Sequence, residues 1–164
     1  MIALHRQALQ DAPHAAWTPS PARHKLCLMK SNVAGSCLCG RVRFEITVGP
    51  DNYMEHCHCS MCRKAHGASF ATWIDLPVED FRFTRGEAEV ARYRSSPDWT
   101  RGFCRHCGSS LIGQRDGAPV LSIAAGVLDG DPGCRPSVHI FVASRAPWVA
   151  PEPGLTPFEA RRPT

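Results

Sequence analysis

Seven of the chain's nine cysteines fall into three tight groups: "CLC" at Cys37 and Cys39, "CHCSMC" at Cys57, Cys59 and Cys62, and "CRHC" at Cys104 and Cys107. Cys27 and Cys134 stand alone and are assigned no function. Cysteines this close in sequence rarely reach disulfide geometry with one another, and an odd total leaves one unpaired. No signal peptide with a continuous apolar core is visible, which points to the cytoplasm. Close groups of thiols separated by long intervals are the spacing of metal sites, zinc above all. Any fold of this chain must therefore bring distant loops together around metal.

A structural zinc takes four ligands, whereas a catalytic zinc takes three and keeps one position open. Seven clustered cysteines divide as four plus three. In "CRHCG" one short loop offers two sulfurs, and Gly108 can adopt the positive φ that such a turn needs. The available partner is "CLC". Cys37, Cys39, Cys104 and Cys107 then form one closed site, which stabilises the fold by something on the order of 10 kcal/mol because the apo site is unformed. The triplet Cys57, Cys59 and Cys62 remains. It is either an open three-thiolate site or one closed by His56, His58, His66 or His106; His58, between two ligands, is expected to point away. Ser60 is a candidate cap for the short helical turn "MCRKAH" and Gly67 a candidate stop, which places Cys62 near a helix N-terminus that favours a thiolate. Three thiolates on Zn²⁺ carry a net negative charge. Such a centre acidifies water poorly and is better suited to holding or exchanging a fourth thiolate. A thiol substrate is therefore expected. Arg63, Lys64, Arg101 and Arg105 are candidates to hold the carboxylates of an acidic thiol, or are ordinary solvated charges.

At 164 residues, 43% of them apolar, the chain has the size of one domain with its own core. Apolar runs such as "VLSIAAGVL" reach about half of a bilayer-spanning helix, so no membrane segment is expected. The net charge of +4 is mild and rests on scattered arginines. Without a lysine-rich run or basic and aromatic interleaving, nucleic acid is not an expected partner. Residues 1–34 read as a disordered leader or an extended gene start ahead of Met29, residues 35–150 as the zinc domain, and residues 151–164 as an irregular Pro-rich tail. "RVRFEITV" alternates, with Val42, Phe44, Ile46 and Val48 on one face, as a half-buried strand does. "ASFATWIDL", "WTRGF", "SSLIGQ", "PVLSIAAGVLDG" and "SVHIFVAS" read as strands, and "FRFTRGEAEVARYRSS" as strand, Gly turn, strand. Helical pattern is confined to single turns at "PVEDF" and "CRKAHG". The class is mainly β, a sandwich or curled sheet.

The segments "GSCLCGRVRFE", "CHCSMCRKAHGASFATW", "RGFCRHCGSSL" and "HIFVASRAPW" resemble the glutathione-dependent formaldehyde-activating enzyme (GFA) family, which includes the centromere protein V domain. The resemblance covers about Gly35 to Trp148. It implies an Mss4-like β-tent of curled antiparallel sheets with two Zn²⁺ per chain. Cys37, Cys39, Cys104 and Cys107 would be the structural site and Cys57, Cys59 and Cys62 the catalytic one. It also implies a carbon–sulfur lyase of the S-(hydroxymethyl)glutathione synthase type, joining a glutathione-like thiol to formaldehyde, with His66 a candidate to protonate the alkoxide. The Mss4-like fold also hosts non-catalytic zinc modules for protein interaction or chaperoning, so the fold alone leaves that alternative standing. The oligomeric state is not legible.

Overall fold

The computed structural model describes residues 30–163; most of the segment 1–34, with Cys27, lies outside the described residues. Eleven strands and one helix follow in the order β1 (Ser31–Ser36), β2 (Arg43–Val48), β3 (Tyr53–Cys57), α1 (Ser60–His66), β4 (Ala71–Pro77), β5 (Phe81–Arg85), β6 (Val90–Ser96), β7 (Trp99–Cys104), β8 (Ser110–Arg115), β9 (Val120–Ala124), β10 (Val138–Ile140) and β11 (Thr156–Pro157). The class is mainly β, as the alternation implies. β1-β2-β5 form a small sheet, and β11-β10-β3-β4-β9-β8-β7-β6 a large one. Pairing is antiparallel throughout except that β10 runs parallel to both β3 and β11.

The core lies between the two sheets. Val42, Phe44, Ile46 and Val48 meet Ile74, Leu76, Leu111, Leu121 and Ile123, all fully buried or nearly so. Cys134 is buried in the same cluster. The sheet can close this tightly because Gly35 leaves room for the Phe44 ring opposite it: a Cβ there would sit only 2.2 Å from the ring. Replacing Gly35 would therefore drive the largest fully buried side chain out of place.

Several elements differ from the sequence reading. β1 opens at Ser31, inside the 1–34 segment, so the sheet begins before the first cysteine group. The stretch 81–96 does form two strands around a glycine, but they part company: β5 joins the small sheet and β6 the large one. Gly86 at φ 69° makes that divergence possible, since any Cβ would strike the Arg41 carbonyl at 2.2 Å. β9 is shorter than its apolar run, because the chain turns into a 3₁₀ turn at Ala125–Val127. β3 carries no clean alternation in "YMEHC" and is legible only from its pairing with β4 and β10. The tail is in part ordered strand: Phe158 N–H donates to the His139 carbonyl, and Phe141 N–H to that of Ala160.

Candidate metal centres

Two loops build the first centre. Cys37 directly follows β1, Cys39 lies in the next turn, Cys104 ends β7, and Cys107 sits in the turn to β8. Both turns use the same device. Gly40 (φ 69°) donates its N–H to the Cys37 carbonyl at 2.8 Å, and Gly108 (φ 75°) donates to the Cys104 carbonyl at 2.9 Å. Each left-handed glycine folds its loop back so that two sulfurs face one point. The Sγ atoms of Cys37 and Cys39 are 3.5 Å apart and those of Cys39 and Cys104 3.8 Å apart. All four sulfurs lie within 4.8 Å of one another. Tetrahedral zinc with Zn–S bonds of about 2.3 Å needs sulfurs roughly 3.8 Å apart, so the donor set fits that ion. The surrounding groups favour thiolates: Val42 N–H donates to Cys37 Sγ at 3.3 Å, and Ser109 Oγ lies 3.3 Å from Cys107 Sγ. Burial resists ionisation of Cys107, but the Ser109 hydroxyl and backbone N–H bring its thiol down to about 6.

The second centre is assembled at the join of β3 and α1. Cys57 ends β3, and Cys59 caps α1, its Sγ accepting the Cys62 N–H at 3.3 Å. The cap is thus Cys59 rather than Ser60: the same sulfur that starts the helix belongs to the three-sulfur cluster. Gly67, left-handed at φ 58°, stops the helix with its N–H on the Arg63 carbonyl. Cys57, Cys59 and Cys62 bring their sulfurs within 4.8 Å of one another. Sulfur contacts from Cys57 and Cys62 pull the Cys59 thiol down to about 2. Sulfur contacts from Cys59 and Cys62, with burial, push that of Cys57 up. Three thiols in contact cannot all release their protons unless a cation shares the site. The donor chemistry again fits zinc.

Among the described residues no histidine nitrogen joins either sulfur group. His56 Nδ1 pairs with Thr72 Oγ1 at 2.9 Å, and His58 Nε2 with His139 Nδ1 at 2.9 Å. His106 pairs with Glu89 across the surface. His66 stands its ring edge-on to Trp73 at 4.9 Å, and its Nε2 is buried without a partner. Burial lowers the His66 pKa, with Cys62 opposing and Arg101 reinforcing, so the ring is held neutral.

Of the four cation candidates, the structure brings one to the triplet. Arg101, only 9% exposed, directs NH2 to Cys62 Sγ at 3.5 Å and Nε to Ser95 Oγ at 3.0 Å. Arg63 is spent on the His58 and Ser144 carbonyls, binding α1 to the loop after β10. Lys64 and Arg105 are exposed. Trp73, Ser95 and His139 complete the surroundings and were not singled out by sequence, because only strand pairing places them there. A cleft of ≈ 290 Å³ lies between His66 on one side and Cys107 with its turn, Gly108 to Ser110, on the other; His66, not a triplet sulfur, is what ties it to the second centre.

The family model for the glutathione-dependent formaldehyde-activating enzyme matches residues 32–144. The chain belongs to this family. It is 32% identical over 125 residues, 70% of its own length and 78% of the other's, to a Halomonas elongata protein provisionally named glutathione-dependent formaldehyde-activating enzyme. Its fold is similar to the crystal structure of a Rhodobacter sphaeroides protein, with a TM-score of 0.52 and 25% identity over 76% of this chain and 98% of that one. All seven clustered cysteines fall inside the span matched to the family.

Proposed function

We propose that the chain joins a glutathione-like thiol to formaldehyde, or cleaves the adduct, as a carbon–sulfur lyase of the S-(hydroxymethyl)glutathione synthase type. The observation that carries this reading is a three-sulfur centre with no fourth ligand from the described residues, near a neutral histidine whose Nε2 has no partner. Cys57, Cys59 and Cys62 would hold one zinc and Cys37, Cys39, Cys104 and Cys107 a second; the first, when bound, supplies positive charge that favours the thiolate form of an incoming thiol.

The chain's own residues then account for the proton. His66 is neutral and its Nε2 is free, so it begins as an acceptor and takes the proton of the thiol. The thiolate sulfur forms its bond to the carbonyl carbon, and the C=O π pair moves to oxygen. His66 returns the proton to that oxygen, which leaves the hydroxymethyl thioether and the histidine as it started. Cleavage is the same path in reverse. The cleft that His66 lines, walled largely by small residues, takes the remainder of the thiol. Free thiols in two clusters suit the reducing cytoplasm.

The test is exchange between free formaldehyde and its glutathione adduct, followed by magnetisation transfer at mildly acid pH, where the uncatalysed reaction is slow. The zinc-loaded protein is expected to accelerate exchange in proportion to its concentration. No acceleration by a protein carrying two zincs per chain would refute the reading.

A further inference from the structure

We propose that Arg101 is the oxygen-binding residue of this site: its free NH1 receives an oxygen two bonds from the substrate's sulfur. The inference rests on the reading that a thiol–aldehyde adduct forms at the triplet.

A guanidinium is charged at every physiological pH, and burying its N–H groups unpaired is costly. Arg101 is nevertheless buried on β7, and its NH1 has no partner. A counter-ion role toward the thiolates explains NH2, which points at Cys62 Sγ, but leaves NH1 unexplained. The fork cannot turn to relieve it. Nε is fixed on Ser95 Oγ, NH2 on Cys62 Sγ, and the guanidinium lies 6.0 Å over the Trp73 ring. With two of three nitrogens anchored in a planar group, the direction of NH1 is set. An acceptor for it must lie one fork-width from the Cys62 sulfur.

That position selects among the oxygens of the substrate. The carboxylates of a glutathione-like thiol are many bonds from its sulfur. The oxygen of the S–C–O unit is two bonds away and is the atom on which negative charge develops as the carbon–sulfur bond forms. NH1 donates a hydrogen bond to it and keeps its own proton. His66 meets the same Trp73 from another element, and its Nε2, like His58 Nδ1, is buried without a partner. Charge on one side and a proton carrier on the other is an arrangement suited to a developing alkoxide.

The test compares S-formylglutathione, which carries an oxygen two bonds from sulfur, with S-ethylglutathione, which carries a methyl there. Both are titrated calorimetrically into zinc-loaded wild type, Arg101→Met and Arg101→Lys. A hydrogen bond from a charged donor predicts that wild type prefers the formyl compound by about tenfold or more. Arg101→Met is expected to erase that preference while S-ethylglutathione binding and the zinc content stay unchanged, and Arg101→Lys to restore part of it. A preference that survives in Arg101→Met overturns the proposal, as does an equal loss of both ligands together with zinc, which makes Arg101 structural. Wild type that binds both compounds equally also overturns it while leaving the lyase reading intact. Wild type that binds neither overturns both.

Discussion

The two sulfur centres use the same ligand chemistry in opposite surroundings. Around Cys37, Cys39, Cys104 and Cys107 the ligand set is complete: four sulfurs, two left-handed glycines, and a loop after β1 brought to the β7–β8 turn. Around Cys57, Cys59 and Cys62 the features remain unfinished: three sulfurs, a guanidinium with a free arm, and a histidine with a free nitrogen. A folded protein rarely leaves buried polar atoms unpaired without a reason. On the proposed reading, the first centre spends its valences on the fold and the second keeps them for a ligand.

The sharpest way to break this comparison is to remove one sulfur from each centre. Cys107→Ser should cost several kcal/mol of stability, a large share of a metal contribution on the order of 10 kcal/mol, and should melt far below wild type. Cys59→Ser should keep the outer zinc and most of the melting temperature, because serine caps a helix as well as cysteine does, yet lower catalysed exchange by about 100-fold or more. Equal melting losses for the two variants would contradict the division of roles.

Next in size is the histidine. His66→Asn should reduce catalysed exchange by roughly 10- to 100-fold, the range for a positioned acid or base, without loss of either zinc. An unchanged rate would remove His66 from the proton path.

The smallest effect separates metal-based acid sensitivity from that of ordinary carboxylates. Asp75 on β4 is held above the usual aspartate range, chiefly by burial, against the lowering effect of the Ser122 hydroxyl and of Arg161 and Arg162. With the folded pKa raised, the unfolded chain releases this proton first as pH climbs past 3.8, so stability is lost with rising pH. Asp75→Asn should therefore melt a few degrees above wild type at neutral pH, with the gain shrinking toward acid. Acid release of zinc should be unaffected. A gain that grows toward acid would reverse the sign of the argument.

Much of this was legible from spacing. The four-plus-three division of the cysteines needed only the sequence, because short loops force neighbouring thiols toward one point. β2 was legible because its alternation is strict. What was not legible depends on register between distant strands. Arg101 and Cys62 are 39 positions apart and meet only because β7 sits where it does in the large sheet. Nothing in "TRGF" distinguishes Arg101 from Arg63, which the fold consumes on two carbonyls instead. The parallel placement of β10 between β3 and β11 was equally hidden, since period-two patterning carries no direction. The Cys59 cap escaped notice because serine is the commoner cap and stood beside it.

The central claim is that the fourth position of the triplet zinc belongs to a substrate sulfur. Zinc X-ray absorption tests it most directly on the protein carrying two zincs. One closed four-sulfur site and one open three-sulfur site average about 3.5 sulfurs per zinc, and saturating glutathione should raise that to about 4. A sulfur count that does not change when glutathione is added, or that already stands at about 4 without it, would contradict the account.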